Sequence, residues 1–160
     1  MRVSFPRSSF LPVLVAVSFF SCAQSLPQTA RVARVIDGDT IQLADGRLVR
    51  YIGIDTPEVR RRDGERWVFD PEPFAEAATG ANKRLVEGKM VRLEYDVQSH
   101  DRFGRLLAYV YVGDAMVNEE LIRLGYAQLL TIPPDVKYAE RFRALVEEAR
   151  RERRGLWRND

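Results

Sequence analysis

Beyond residue 30, apolar side chains recur in short runs separated by turn residues, which is typical of a domain built on β-strands. Residues 32–36 predict a first strand, and Ile41 with Leu43 predicts a second. An Asp-Gly turn signal lies between them at 37–38, and Ala-Asp-Gly at 44–46 predicts the turn into a third strand.

The third predicted strand, over 47–54, has the clearest alternation. Leu48, Arg50, Ile52 and Ile54 fall on one face of it. An arginine among apolar neighbours is costly to bury without an anionic partner. We therefore expect a carboxylate or a bound anion beside Arg50.

The remaining pattern changes from period two to helical spacing and back. The predicted elements are helices over 74–85, 117–124 and 139–149, strands over 91–95 and 106–112, and a long charged surface loop over 59–73. Trp157 is expected to pack back onto the domain. Five strands with an interposed helix predict an α+β, mainly β fold: a five-stranded Greek-key barrel of the OB type with about three packed helices.

Residues 1–25 have the pattern of a secretory signal peptide. Arg2 and Arg7 precede an apolar run at 10–20, and small residues follow it. This run is too short to cross a bilayer as a mature helix. The predicted division is a signal peptide over 1–25 and one domain over 26–160.

Two processing routes fit this segment. Ala23-Gln24-Ser25 resembles an ordinary signal-peptidase site, whereas Phe19-Phe20-Ser21-Cys22 resembles a degenerate bacterial lipobox in which Cys22 would be lipidated. Both routes predict export, to the periplasm or the medium, or to the cell envelope through a lipid at Cys22. Contact with a membrane is expected only through the signal peptide or that lipid.

The composition limits which disulfide and metal-binding chemistry the chain can support, but it does not identify a binding partner. The chain carries 25 Lys and Arg against 23 Asp and Glu, and it becomes neutral when Arg2 and Arg7 are removed. Net charge therefore gives no argument for nucleic-acid binding. One cysteine excludes an internal disulfide, and one histidine makes oxygen ligands the expected holders of any metal.

Three polar segments lie where strands meet loops, at 37–40, 55–58 and 101–105. Taken alone, the first is typical of a hairpin turn, and the third of a charged hairpin. The second fits either a solvated loop or helix cap, or a site for a hard cation such as Ca²⁺. Together with Arg50 they offer acids for a metal and arginines for an anion.

At these segments the sequence resembles the staphylococcal nuclease (thermonuclease) family. The resemblance runs from about Val32 to Trp157 with the motifs in order. The matching residues are 35–40, Arg50, 53–58, 101–105, 107–110, 117–119, Leu121, 125–127 and 155–157. It implies a barrel of the kind that the strand pattern predicts independently.

The resemblance also implies roles for residues at the matching positions. Asp39 and Asp55 would bind Ca²⁺ through their carboxylates, and Thr56 through its backbone carbonyl. Arg50 and Arg105 would hold the scissile phosphate, where cationic groups offset the charge that develops during in-line attack.

The other implied roles concern water, substrate and support. Glu58 would orient or deprotonate the attacking water. Arg102 and Phe103 would contact the substrate, and Asp37 and Asp101 would support the site by hydrogen bonding. Together these roles predict an exported Ca²⁺-dependent nuclease that hydrolyses phosphodiester bonds of DNA and/or RNA. The alternative is a noncatalytic OB-type nucleic-acid-binding module.

The partners expected for this enzyme are single- or double-stranded DNA and RNA, bound as substrate. No protein partner is implied, and a monomer is expected.

One departure from the family bears on substrate binding, and one surface loop could compensate for it. The family's best-known member has base-stacking tyrosines where this chain has Thr-Ile-Pro-Pro at 131–134. The loop at 59–73 contains three consecutive arginines at 60–62 and Trp67. It is either a surface that contacts the nucleic-acid strand in place of the tyrosines or a solvated loop without such a role.

Overall fold

This computed structural model of the chain describes residues 25–158. The predicted signal segment, apart from Ser25, lies outside the described residues, and so does Cys22. The strands are β1 Thr29–Val35, β2 Thr40–Leu43, β3 Leu48–Tyr51, β4 Ile54–Asp55, β5 Arg60–Asp63, β6 Arg66–Phe69, β7 Met90–Glu94, β8 Leu106–Val112, β9 Ala115–Met116 and β10 Gln128–Leu129. The helices are α1 Ala75–Val86, α2 Val117–Arg123 and α3 Ala139–Arg151, followed by a 3₁₀ turn at Gly155–Trp157.

Five of these strands form a closed barrel. Strand β1 pairs antiparallel with β2 and β7, β2 with β3, and β7 with β8. Parallel pairing of β3 with β8 closes the circle, with Arg50 opposite Leu107. The predicted α+β, mainly β fold with a five-stranded OB-type barrel and three helices is confirmed.

The barrel interior is apolar because alternate strand residues point into it. Ile41, Val49 and Leu106 are among its fully buried side chains, and burying each stabilises the fold by about 1.5–3 kcal/mol. Helix α3 adds Phe142, whose ring meets the edge of Tyr109 at 6.0 Å between centroids. Trp157 is buried as predicted.

The third predicted strand is interrupted, so its prediction as one element was wrong. Strand β3 ends at Tyr51, and β4 leaves the barrel to pair with β10. Gly53 lies between them with φ +81°, and a β-carbon there would approach Phe142 Cε2 to 2.7 Å. Close packing of α3 against this turn therefore requires glycine.

The segment at 59–73 lies on the surface as predicted, but it is not structureless. Strands β5 and β6 form an antiparallel hairpin with Arg60 opposite Phe69 and Arg62 opposite Trp67. The arginine run concealed this element because neither strand has a buried face. Within residues 25–158, no helix is long and apolar enough to cross a membrane.

Candidate active site

The turn between β1 and β2 is held by its own side chains. Asp37 Oδ1 accepts the backbone N–H of Asp39 at 3.1 Å. From α1, Asn82 Nδ2 donates to the Asp37 carbonyl at 3.1 Å. These bonds place Asp37 in support of Asp39, since its carboxylate engages the backbone of this turn.

Asp39 is nearly fully buried and joins this turn to the segment after β4. Its Oδ2 accepts both the backbone N–H and the hydroxyl of Thr56, at 3.0 and 3.1 Å. The first and second polar segments of the sequence therefore meet at one carboxylate.

Gly38 is required by this meeting. A β-carbon there would lie 2.4 Å from Thr56 Oγ1 and 2.7 Å from Thr56 Cβ. The sequence suggested an ordinary turn glycine, whereas in the structure the absent side chain allows the two segments to touch.

Arg50 lies between two carboxylates, as its position among apolar residues predicts. Nη1 contacts Asp39 Oδ2 at 2.5 Å, and Nη2 contacts Asp55 Oδ1 at 2.7 Å. Nη1 also donates to the Ile54 carbonyl at 3.1 Å. The Arg50 side chain is 14% exposed and Asp55 is largely open, so this ion pair reaches the surface.

The donors around Arg50 suit a hard cation. Burial raises the pKa of Asp39 above its ordinary value, and Asp37 and Asp55 add to this rise while Arg50 opposes it. The carbonyl oxygen of Thr56 accepts no hydrogen bond within the described part of the chain. Two carboxylates and a free carbonyl are oxygen ligands that Ca²⁺ accepts.

The part of the chain that the structure describes offers no larger group of acidic side chains for a metal. Among residues 25–158, no set of three or more His, Cys, Asp or Glu side chains is arranged to hold an ion. A cation here would therefore be bound by the two carboxylates, the Thr56 carbonyl and water.

Glu58 lies in a cleft of about 590 Å³, which we call the Glu58 cleft; it is lined in part by Asp37, Glu58 and Arg105. The backbone N–H of Glu58 donates to Glu72 Oε2 at 3.0 Å. Its own carboxylate has no hydrogen-bond partner among residues 25–158. Partial enclosure raises the pKa of Glu58, and the negative charge of Asp37 raises it further.

Arg105 is held by Asp101 in the turn that precedes β8. Asp101 Oδ2 accepts Arg105 Nε at 2.7 Å, and Oδ1 accepts the backbone N–H groups of Phe103 and Arg105 at 2.9 Å. Burial acts to raise the pKa of Asp101, but these hydrogen bonds outweigh it and leave the pKa below its ordinary value. Asp101 thus fixes one edge of the Arg105 guanidinium.

A second concave site, about 780 Å³, is lined by both Arg50 and Arg105, and we call it the Arg50–Arg105 cavity. Phe103 also lines it and is 69% exposed, with the Arg102 guanidinium 4.7 Å above its ring. Ile132, from the Thr-Ile-Pro-Pro segment at 131–134, also lines this cavity.

Seven of the ten predicted site residues line these two concave regions, and the other three are linked to Arg50 directly or through Asp39. Arg50 contacts Asp39 and Asp55, and Asp39 in turn accepts hydrogen bonds from Thr56. Glu58 and Asp37 line the Glu58 cleft, while Asp101, Arg102 and Phe103 line the Arg50–Arg105 cavity. Arg105 lines both, so it lies where the two regions meet.

Two buried asparagines that support the site were missed. Besides its bond to Asp37, Asn82 accepts the Tyr51 hydroxyl at 2.9 Å. Asn118 links the barrel to the turn after β3, accepting the Val110 N–H at 3.0 Å and donating to the Ile52 carbonyl at 2.9 Å. The signal for Asn82 was a polar residue within the apolar stripe of a predicted helix.

Comparison with known proteins identifies one family model and several similar nucleases. The family model described as staphylococcal nuclease homologue matches residues 48–159. The chain is 40% identical to the thermonuclease of Staphylococcus hyicus over 135 residues, which are 82% of this chain and 77% of that protein. It is 42% identical to the thermonuclease of Staphylococcus intermedius over 124 residues, 76% of this chain and 68% of that protein.

A nuclease from Bacillus subtilis is also similar to this chain. The endonuclease YncB of Bacillus subtilis is 37% identical over 129 residues, 78% of this chain and 59% of that protein. The family model covers more than half of the chain, and the two thermonucleases match over most of their length. The chain therefore belongs to the staphylococcal nuclease family.

Proposed function

We propose that this chain, a nuclease of the hydrolase class, cleaves phosphodiester bonds of DNA and/or RNA with the help of Ca²⁺. One observation carries the proposal. Pairing of β3 with β8 brings Arg50 and Arg105, which are 55 positions apart in sequence, to a single cavity beside two carboxylates.

Ca²⁺ fits the acidic side of the site. Asp39 and Asp55 would hold it with their carboxylates and Thr56 with its carbonyl. When bound, the ion supplies positive charge close to the phosphate and to the attacking water. The salt bridges of Arg50 keep the same carboxylates paired without it, so these residues need no metal to remain in place.

The two arginines bind the phosphate. Arginine stays charged at any working pH and presents several N–H donors in one plane. Asp101 occupies Nε of Arg105, which leaves the terminal nitrogens for phosphate oxygens. Negative charge that develops on the phosphate and the leaving oxygen is offset by these guanidinium groups.

Glu58 acts on water from the cleft side. Its carboxylate has no competing partner among residues 25–158, and its raised pKa makes it a stronger base than an exposed glutamate. It orients the attacking water and accepts a proton from it.

Hydrolysis of single-stranded DNA tests this proposal. We expect cleavage in Ca²⁺ and none in an excess of chelator. Activity that persists in chelator contradicts the calcium role, whereas binding without cleavage by a folded protein indicates the noncatalytic binding module.

We also propose that the protein is exported, on the pattern of residues 1–25. Labelling with a fatty-acid analogue separates the two processing routes. Incorporation that Cys22→Ser abolishes indicates a lipid anchor, and absence of incorporation with a shortened chain indicates ordinary signal cleavage.

A further inference from the structure

The β5–β6 hairpin has two unlike faces. The pairing register places Arg60, Arg62, Trp67 and Phe69 on one side, which we call the hairpin face. On the other side, Arg61 is paired with Asp70 at 2.8 Å. Arg60 has no ion pair within residues 25–158, so its charge remains available on the hairpin face.

The aromatic residues of this face are unusually open. Trp67 is 67% exposed and Phe69 is 66% exposed. Adjacent large apolar side chains left in water are a common sign of a binding surface. Because both side chains are mostly exposed, they contribute little to the hydrophobic core. Stabilisation of the fold therefore does not explain why aromatic residues occupy these positions.

The hairpin face adjoins the catalytic residues. Arg60, Trp67 and Phe69 form part of the lining of the Glu58 cleft, together with Glu58 and Arg105. Lys83 of α1 lines the same cleft. Cationic side chains and aromatic rings therefore extend the site away from the Arg50–Arg105 cavity.

We propose that the hairpin face binds single-stranded nucleic acid on the Glu58-cleft side of Arg105, away from the Arg50–Arg105 cavity that takes the scissile phosphate. Bases stack on Trp67 and Phe69, while Arg60 and Lys83 contact backbone phosphates. Aromatic stacking combined with a basic groove is the general means of holding single strands. The inference rests on the proposed nuclease function, and it assigns the site a strand of several nucleotides.

A single strand fits this surface better than a duplex. The rings on the hairpin face need exposed base faces, whereas the bases of a duplex already stack on one another. The unpaired arginine charge also complements a polyanion. The face is therefore expected to favour unpaired strands.

Binding is measured by tryptophan fluorescence with the wild-type protein in chelator. The chain has two tryptophans, and Trp157 is buried, so exposed Trp67 should report contact. A 12-nucleotide oligothymidylate should quench the emission saturably, and Trp67→Phe should abolish the quenching. Trp67→Ala should weaken binding by about 10-fold, measured by an independent anisotropy titration.

A matched pair of arginine variants tests the face itself. Arg60→Ala should weaken oligothymidylate binding, while Arg66→Ala, on the opposite face of the same hairpin, should leave affinity close to wild type. If both variants lost the same affinity, the effect would come from the total positive charge of the protein and not from the hairpin face. That result would overturn the assignment.

Cleavage assays separate this inference from the nuclease proposal. In Ca²⁺, Trp67→Ala should raise KM for the 12-mer by a larger factor than KM for a dinucleoside phosphate, with a smaller effect on kcat than on KM. Wild-type hydrolysis without quenching overturns the inference alone, whereas quenching without hydrolysis contradicts only the nuclease proposal. Equal affinity for duplex DNA, or a response only to anionic phospholipid vesicles, also overturns it.

Discussion

At the scale of single residues, the contact between Arg50 and Asp39 has two uses. Without a cation, Arg50 is the counterion that makes burial of Asp39 tolerable. The same guanidinium lines the cavity proposed for the phosphate. We expect a bound cation to take over the carboxylates, which frees donors of Arg50 for the substrate.

Glu58→Gln should lower kcat by about 100-fold or more, because an amide cannot accept the proton of the attacking water. Circular dichroism should show an unchanged fold, since the carboxylate has no partner among residues 25–158. Glu147→Gln, on the exposed side of α3, is the control and should retain full activity. Wild-type turnover in Glu58→Gln would remove Glu58 from the mechanism.

Gly38→Ala should destabilise the protein by about 1–3 kcal/mol and lower activity, because the new methyl group collides with Thr56. Thermal unfolding and a Ca²⁺-dependent cleavage assay measure the two effects.

Gly80→Ala is the matched control. In α1 its β-carbon would lie 3.5 Å from the nearest atom, so alanine should stabilise the helix by about 0.5–1 kcal/mol. If both variants lost stability, the loss in Gly38→Ala could not be attributed to the collision with Thr56. A general intolerance of alanine at glycine positions would then be the explanation.

At the scale of elements, the turn before β8 depends on one ionised group. The pKa of folded Asp101 lies below its ordinary value of about 3.9. Ionised Asp101 therefore stabilises the fold above the unfolded pKa, and this contribution is lost as the pH falls through the folded pKa.

Asp101→Asn should lower the melting temperature at pH 7 because it removes the charge that binds Arg105. The difference from wild type should begin to shrink below about pH 4 and should disappear as the pH falls through the lower folded pKa, where the wild-type group also becomes neutral. Melting curves across this pH range measure it, and Asp114→Asn, at an exposed turn, should show no such dependence. A constant difference at all pH values would exclude the ionic contribution.

The sequence predicted the elements whose pattern reflects a buried face. The barrel strands and three helices each have an apolar side, so their periodicity is visible in one sequence. The β5–β6 hairpin has none, and the division between β3 and β4 depends on contact of Gly53 with Phe142, distant in sequence. The position of Asn82 in an apolar stripe is visible in the sequence, but its partner is not, because identifying the partner requires knowing which turn α1 covers.

At the scale of the whole molecule, we expect the fold to persist without calcium because Arg50 pairs with the carboxylates. Ca²⁺ should still raise the melting temperature, since a ligand that binds only the folded state adds about 2.7 kcal/mol at 100 times its Kd. Calorimetry with and without chelator measures the shift.

Asp39→Asn is the variant that tests this site, and Glu147→Gln again serves as a control. The calcium-dependent shift should vanish in Asp39→Asn and persist in Glu147→Gln. A shift that survives in Asp39→Asn would locate the ion elsewhere.

The active-site residues come from two parts of the chain, which meet where β3 pairs with β8 to close the barrel. Cleavage of the backbone at Gly64, in the exposed hairpin turn, would leave Arg50 and Glu58 in one fragment and Arg105 in the other. Neither piece alone holds both guanidinium groups, and the ladders of β3 with β8 and of β1 with β7 reunite the two pieces. Nuclease activity would then serve as a reporter of fragment complementation, appearing only when two separate polypeptides assemble one barrel.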